Sequence, residues 1–191
     1  MIKRKVNLIL IRHGETEDNV RDILMGHNNS PLTVSGKKIT RKVAKNLKKE
    51  KIDYLYCSPL GRAIKTAQII LKDLDYLSLN VEPLLIERDF GVLNGKHKDE
   101  MSKYTSKILK TDQVDYFLGV KDSETFPHLL KRAHKLIKKM EKRHPFKTIL
   151  LVTHGDIGKM IQAAYYGWDW QEGLEAPYFA HDTILRLSKE G

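Results

Sequence analysis

Short apolar runs alternate along this chain with longer segments in which apolar residues recur every three or four positions. The runs at 6–11 and 148–152 are short and apolar almost throughout, which is typical of strands buried on both faces of a sheet. Pro83 restricts pairing in another run to a sheet edge or a strand end. Strands are predicted at 6–11, 52–57, 79–85, 148–152 and, at the sheet edge, 183–187.

Helical periodicity fills the segments between these strands. In the first helix, Thr33 or Ser35 is placed to cap the start; in the second, Ser58 is predicted at the N-cap and Pro59 at the first helical position. Helices are predicted at 35–50, 58–74, 124–142 and from Gly155 onward. Strands that alternate with helices favour an α/β fold with a mostly parallel sheet and helices on both faces.

The segment from about 92 to 123 breaks this pattern. It has no strong period and is rich in Lys, Asp, Ser and Thr, so we expect a partly helical insertion that covers another part of the protein. A length of 191 residues suits one domain. We therefore expect a single domain over 1–191 with a cover at about 92–123.

The composition adds a strong positive charge. Lys and Arg number 34 against 24 Asp and Glu, a net charge of +10, which attracts anions. Much of the excess lies at Lys37, Lys38, Arg41, Lys42, Lys45, Lys48, Lys49 and Lys51. A solvated helix face is favoured over an RNA-binding stripe, because no aromatic residues are interleaved for stacking on bases.

Cellular location is constrained by the single cysteine and by the lack of a long apolar run. Cys57 has no partner for an internal disulfide, which fits a reducing cytoplasm, and its sequence context does not indicate a reactive thiolate. No run approaches the roughly 18 apolar residues of a membrane span. The basic start at 1–5 resembles a signal peptide, but the apolar run after it is too short, so we interpret it as a basic lead into the first strand.

Polar side chains that can bind a ligand or act in catalysis follow three of the predicted strands. Arg12 and His13 end the first, Arg62 lies just beyond the second, and His154 ends the strand at 148–152. Because ligands bind beyond the carboxyl ends of parallel strands, these side chains are expected to meet in one crevice. Each alone also has a structural interpretation, such as an exposed helix residue for Arg62 or a core histidine for His154.

Two arginines and two histidines in one crevice favour phosphate chemistry. Guanidinium groups match phosphate oxygens, helix N-termini add N–H donors, and a neutral imidazole can attack phosphorus. A leaving group also needs an acid, for which Glu87 and Asp89 compete. Glu87 has an alternative role as an ion-pair partner of Arg88.

Five segments resemble the histidine phosphatase superfamily, also called phosphoglycerate-mutase-like. They are "LIRHGET" followed by Asn19, "LTVSGKKITRKVAKNL", "YLYCSPLGRAIKTAQII", "ERDFGVLNG" and "ILLVTHGDIGKM". The resemblance spreads over residues 6–187 and leaves only about 96–122 unplaced. It implies a three-layer α/β/α sandwich and a phosphatase that needs no metal or other cofactor and acts on a small phosphorylated substrate.

The resemblance also implies roles for individual residues. His13 is the nucleophile, Glu87 is the acid and then the base, and Arg12, Arg62 and His154 bind the phosphoryl group. Asn19 and the backbone N–H of Gly155 also contact the phosphate. Structural interpretations, such as a capping role for Asn19, remain open beside these roles.

The mutase branch of the family resembles the chain less well. Its substrate-clamping tyrosine is replaced by Phe90, and no arginine occurs in 96–122, although Lys98 matches a mutase lysine. Asp182 stands where many members carry asparagine. The leading hypothesis is a phosphomonoester hydrolase; the alternatives are a cofactor-dependent phosphoglycerate mutase-type phosphotransferase and a non-catalytic phosphate- or RNA-binding protein.

The substrate and the oligomeric state stay open at this stage. The loop at 25–29 and the 96–122 segment are predicted to shape the pocket mouth. Lys96, His97, Lys98 and Lys103 would favour a second anionic group, or are solvated side chains on the cover. The aromatic residues Tyr165, Tyr166, Trp168 and Trp170 form either core or a contact surface.

Overall fold

A five-stranded sheet forms the centre of the protein in the computed structural model, which describes residues 6–188; the predicted basic lead at 1–5 lies outside the described residues. The strands of the chain are β1 Asn7–Arg12, β2 Tyr54–Cys57, β3 Leu79–Val81, β4 Ile108–Lys110, β5 Asp115–Phe117, β6 Thr148–Thr153 and β7 Leu185–Leu187. The central sheet has the order β3-β2-β6-β1-β7, and all pairs are parallel except β7 with β1. The mostly parallel sheet and the late edge strand were predicted correctly.

Helices cover both faces of this sheet. They are α1 Glu17–Val20, α2 Val34–Leu47, α3 Gly61–Leu71, α4 Met101–Tyr104, α5 Phe126–Arg143, α6 Gly155–Tyr166 and α7 Trp170–Glu175. The apolar sides of α2 and α3 pack on one face with Ile9, Ile11 and Leu55. Those of α5, α6 and α7 pack on the other face with Leu8 and Leu10. The result is the expected three-layer α/β/α sandwich.

Two local predictions at helix and strand ends were wrong. Ser58 does not cap α3 and Pro59 is not its first residue, because α3 begins at Gly61 after Leu60 without a side-chain cap. The Ser58 hydroxyl accepts instead from the Leu60 N–H at 3.3 Å and from the ring of His154 at 2.7 Å. The run at 79–85 is a strand only to Val81, since Pro83 begins a 3₁₀ turn over Pro83–Leu85. Thr33 rather than Ser35 caps α2, by accepting from the Gly36 N–H.

The cover at 92–123 contains α4 and a hairpin that was not predicted. Strands β4 and β5 form a separate two-stranded antiparallel sheet. The two strands contribute to an apolar group that we call the cover cluster, made of Phe90, Leu93, Met101 and Phe117 with Leu24, Ile108 and Val120 at its edge. The cover therefore has a small core of its own.

The basic residues of α2 and the aromatic residues near the end of α6 differ in their exposure. The basic residues of α2 and its C-terminal extension are exposed, apart from the half-buried Lys37, as expected of a solvated face. Tyr165 belongs to the core, Trp170 stacks on Phe126, and Tyr166 is exposed. Across residues 6–188, none of the helices has the length and apolar character required to cross a bilayer.

Candidate active site

The carboxyl ends of β2, β6 and β1 lie side by side, and the predicted site residues meet there. The rings of His13 and His154 are 5.1 Å apart, and the Nε of Arg62 lies 3.3 Å from the Nδ1 of His154. In front of them is a cavity of about 740 Å³. Its wall includes Arg12, His13, Asn19, Arg62, Glu87 and Gly155.

His13 is held in one tautomer by its neighbour. Its Nδ1 lies 2.8 Å from the carbonyl oxygen of Gly14, and because a carbonyl only accepts, Nδ1 carries the proton. Gly14 is fixed in turn by a hydrogen bond from its N–H to the Thr66 hydroxyl. A Cβ at Gly14 would lie 2.6 Å from Oγ1 of Thr40, so only glycine lets α2 approach this closely. The Nε2 of His13 is left with its lone pair.

The charge state of His13 follows from its surroundings. Burial, with the neighbouring His154 and the guanidinium groups of Arg62 and Arg12, holds its pKa well below the usual 6.5. The imidazole is therefore neutral at neutral pH. A neutral imidazole with a free Nε2 has the form that a nucleophile requires.

His154 lies behind the cavity wall instead of in it. The residue is fully buried, and its Nδ1 accepts from Arg62 while its Nε2 donates to the Ser58 hydroxyl at 2.7 Å. Burial, with the positive charge of Arg62 next, holds its pKa well below 6.5. Its ring therefore orients the guanidinium of Arg62.

Arg62 is buried, so the interpretation as an ordinary exposed helix residue is wrong. Its Nη1 donates to the Asn28 carbonyl at 2.6 Å and its Nη2 to the Gly26 carbonyl at 2.8 Å. Burial lowers its pKa to about 10, opposed by the charge of Glu87, and the group stays cationic at neutral pH. The 25–29 loop thus fixes the cation in addition to shaping the mouth.

Arg12 and Asn19 complete the wall on the β1 side. The Nε of Arg12 is buried and has no hydrogen-bond partner within residues 6–188, and the guanidinium carbon lies 5.1 Å from the ring centroid of Tyr178. The Oδ1 of Asn19 accepts from the N–H and the hydroxyl of Thr16. Asn19 is therefore a capping residue that also faces the cavity.

Glu87, and not Asp89, has the environment of a general acid. Its Oε1 accepts from the N–H groups of Arg88 and Ile157, at 2.9 and 3.1 Å, and its Oε2 from that of Asp156 at 3.4 Å. Burial, followed by the charge of Asp156, outweighs these bonds and raises its pKa. For Asp89, bonds from Gly91 and Asn94 outweigh burial and lower the pKa.

Two arginines support the segment that carries Glu87. Arg132 donates to the carbonyl oxygens of Leu84, Ile86 and Glu87 and forms a two-pronged ion pair with Glu124. Arg88 is fully buried and pairs with Asp156 at 2.6 Å. The carboxyl group of Glu87 is thus fixed on the first turn of α6.

Sequence reasoning missed two residues from the 176–183 segment. The Nδ1 of His181 donates to the backbone carbonyl of His13 at 2.5 Å, and the two rings are 5.4 Å apart. Tyr178 lines the cavity beside Arg12. The only signal for His181 in the sequence was its place next to Asp182, the position where the family resemblance expects asparagine. Asp182 itself is exposed.

The cover contributes the outer wall of the cavity. Of the four basic residues proposed for a second anionic group, Lys98 alone lines the cavity, and it already pairs with Asp22 at 3.0 Å. Lys103 pairs with Glu100 at 3.6 Å. Cys57 is buried, and burial raises the pKa of its thiol to about 11, as expected of an unreactive cysteine. No group of three or more His, Cys, Asp or Glu side chains in the described chain is arranged to hold a metal ion.

The chain is similar to known proteins both in sequence and in fold. The family model of the histidine phosphatase superfamily, branch 1, matches residues 8–188. Phosphoglycerate mutase-like protein 4 of Arabidopsis thaliana is 31% identical over 78% of this chain and 66% of its own length. Phosphoserine phosphatase 1 of Hydrogenobacter thermophilus is 28% identical over 96% of this chain and 92% of its own length.

Solved structures resemble most of the chain. YhfR of Bacillus stearothermophilus superposes with a TM-score of 0.83 at 27% identity, covering 97% of this chain and 92% of that one. The phosphoserine phosphatase of Entamoeba histolytica, solved with 3-phosphoglyceric acid, has a TM-score of 0.76 at 27% identity, covering 90% of this chain and 85% of that one.

Proposed function

The chain belongs to the histidine phosphatase superfamily, branch 1, and on that premise we propose that it is a phosphomonoester hydrolase acting through a phosphohistidine at His13 on a small phosphorylated metabolite. One observation carries the proposal. The Nδ1–H of His13 is fixed on the Gly14 carbonyl, which leaves Nε2 as a nucleophile beside a cavity lined by Arg12 and Arg62.

The first step transfers the phosphoryl group to the enzyme. The Nε2 of His13 attacks phosphorus in line, the P–O bond to the leaving group breaks, and the leaving oxygen takes the proton of Glu87. The positive charge that develops on the imidazole is stabilised by the Gly14 carbonyl at Nδ1. The raised pKa of Glu87 favours the protonated form that this step needs.

The second step returns the enzyme to its starting state. Glu87, now a carboxylate, takes a proton from water, whose oxygen attacks phosphorus as the P–N bond breaks. Inorganic phosphate leaves, Nε2 regains its lone pair, and Glu87 is again protonated. Since the N–H groups of Arg88 and Ile157 hold the carboxyl in place, one group serves both steps.

Positive charge and N–H donors stabilise the phosphoryl oxygens in both steps. We assign this role to Arg12, Arg62, Asn19 and the N–H of Gly155, which opens α6 at the positive end of its dipole. His154 acts on the phosphoryl group indirectly, by orienting the guanidinium of Arg62. Donors fixed before the reaction stabilise a transition state more than mobile ones do.

A mutase-type phosphotransferase is the second candidate, because relatives of this chain include proteins named as phosphoglycerate mutases. Two features favour the hydrolase: Phe90 offers no hydroxyl to a substrate carboxylate, and Lys98 is paired with Asp22. Incubation with bisphosphoglycerate and 3-phosphoglycerate separates the two candidates. A hydrolase releases phosphate faster than it isomerises the substrate, and a mutase does the reverse.

The decisive test replaces the nucleophile. His13→Ala should abolish phosphate release and leave the fold intact, whereas His134→Ala, at an exposed histidine of α5, should be silent. An acid-free rapid quench of the wild type should trap phosphohistidine, which a binding protein would not form. Turnover in folded His13→Ala protein would exclude the mechanism. A screen of phosphorylated metabolites by phosphate release, repeated with a chelator to test independence of metals, would identify the substrate.

We extend the proposal to the whole chain. Residues 1–191 act as one catalytic domain, and the cover at 92–123 selects the substrate, since it supplies the outer wall of the cavity. A cytoplasmic location fits the single cysteine, which is a free thiol. Fractionation of cells, with immunodetection of the protein in each fraction, tests this location.

A further inference from the structure

We propose that the hydroxyl of Tyr178 is a further phosphoryl-binding group of this site, and that Lys159 is the residue that positions it. The inference rests on the proposed function, because it concerns the anion that His13 would attack. Nothing in the pattern of the sequence marks either residue, and the mechanism above uses neither.

The position of Tyr178 carries the first part. The residue lines the cavity, and its hydroxyl oxygen lies 3.0 Å from where a Cβ on Gly155 would be. The guanidinium carbon of Arg12 is 5.1 Å from the centre of the same ring. The phenol therefore lies between two groups assigned to the phosphate, and its oxygen is against the N-terminus of α6.

The chemistry of the phenol suits an anion at this place. Burial raises the pKa of Tyr178, opposed by the charge of Arg12 and by a side-chain hydrogen bond with Arg12. The hydroxyl thus keeps its proton at the pH of the reaction and is a donor to a phosphoryl oxygen. A Cβ at Gly155 would lie 3.0 Å from the hydroxyl oxygen and would press the phenol away from the helix backbone.

Lys159 carries the second part. Its side chain is almost fully buried, and its Nζ donates to the carbonyl oxygens of Leu174, at 3.1 Å, and Ala176. The Nζ also lies 6.0 Å from the ring centre of Tyr178. Because Lys159 lies one helical turn after Gly155 on α6, the helix that offers its N–H groups to the anion also fixes the segment before Tyr178.

The cover holds the same segment from the other side. The Oε1 of Gln113, in the turn between β4 and β5, accepts from the N–H of Tyr178 at 2.9 Å. The backbone of Tyr178 is thus fixed by Gln113 and the preceding carbonyls by Lys159. With the backbone held at both places, the phenol is directed at the anion before any substrate binds.

The test compares Tyr178→Phe with Tyr166→Phe, which removes the same hydroxyl from an exposed tyrosine of α6. Two quantities are measured: kcat/KM for p-nitrophenyl phosphate, and the dissociation constant of inorganic phosphate by calorimetry. Tyr178→Phe should weaken both by about 10- to 100-fold, the range of a hydrogen bond to a charged group, with the thermal midpoint unchanged. Tyr166→Phe should change neither.

Calorimetry separates failure of this inference from failure of the proposed function. If the wild type binds phosphate but has no turnover, the hydrolase proposal fails while the assignment of Tyr178 is still tested by binding. If Tyr178→Phe binds phosphate within twofold of the wild type, the assignment is overturned whatever the activity.

The positioning role of Lys159 needs its own variants. Lys159→Met should weaken phosphate binding about as much as Tyr178→Phe, and the double variant should lose no more than either single one, because both act through one hydroxyl. Lys159→Arg keeps donors for the two carbonyls, so it should recover most of the loss and serves as the readout if the Met variant fails to fold. Additive losses in the double variant, or a folded Lys159→Arg protein as weak as Tyr178→Phe, would overturn the positioning role.

Discussion

Replacing Glu87 by glutamine separates the chemistry of this carboxyl group from its place in the structure. Gln has nearly the same shape, and its carbonyl oxygen can keep the two shorter hydrogen bonds, from the N–H groups of Arg88 and Ile157. The amide nitrogen then faces the N–H of Asp156, whose bond to Glu87 is the longest of the three at 3.4 Å. The structural loss is therefore one weak hydrogen bond, on the order of 1 kcal/mol or less.

The expected loss of activity is much larger than that. General acid catalysis contributes about 10²- to 10⁴-fold, or roughly 3–5 kcal/mol of transition-state stabilisation. An alkyl phosphate, whose leaving oxygen must be protonated, should show the full loss in phosphate release. The nitrophenolate of p-nitrophenyl phosphate is a good leaving group and needs no proton, so the variant should release one burst of it. Turnover should then stall at the phosphohistidine, because Glu87 is also the base of the second step.

The pH dependence gives an independent check. In the wild type, phosphate release should fall as pH rises through the raised pKa of Glu87, and Glu87→Gln should lack that alkaline limb. Because the folded-state pKa lies above the usual 4.5, ionisation of Glu87 destabilises the wild type increasingly above that pH. Glu87→Gln should be the more stable protein at neutral pH and lose that advantage below pH 4.5. Wild-type activity of the variant on the alkyl phosphate, or an unchanged alkaline limb, would refute the assignment.

Two further substitutions test the surroundings of the nucleophile. Arg62→Met should lower kcat/KM for phosphate release about 10²- to 10³-fold, because it removes a fixed donor to the phosphoryl group. Arg143→Met, at an exposed arginine, should have no effect. A loss under threefold in Arg62→Met would contradict the role of Arg62. His181, whose pKa burial lowers to about 4, stays neutral in the fold, so the wild type loses stability as pH falls from 6.5 towards 4. His181→Asn should lose about 3 kcal/mol less over that interval in urea titrations, and equal losses would contradict the burial of a neutral ring.

The sheet and the centre of the site could be predicted because both follow from local pattern and topology. A buried strand must be apolar, and the side chain that ends it must be polar if it is to face a ligand. That rule found His13 at the end of β1 and His154 at the end of β6. It also found Arg62 one turn into the helix after β2, where the chain crosses over the same sheet edge.

The features that were missed depend on contacts between distant segments. Ser58 has the sequence context of a helix cap, but a hydrogen bond to His154, 96 residues away, decides its position. The strands of the β4–β5 hairpin are three residues each, too short for a periodic signal. Tyr178 lies in a loop without any period, where its N–H bonds to Gln113 and the carbonyls before it bond to Lys159.

The cover cluster shares no residue with the two larger apolar cores on either side of the central sheet. A mutation at Met101 or Ile108 therefore changes the shape of the space above the nucleophile without loosening the strands that hold it. Variation at these two positions can reshape the substrate pocket with little effect on the central sheet. The hairpin is less independent, because Tyr116 packs in the core formed with α5 and α6, and Gln113 accepts from the N–H of Tyr178.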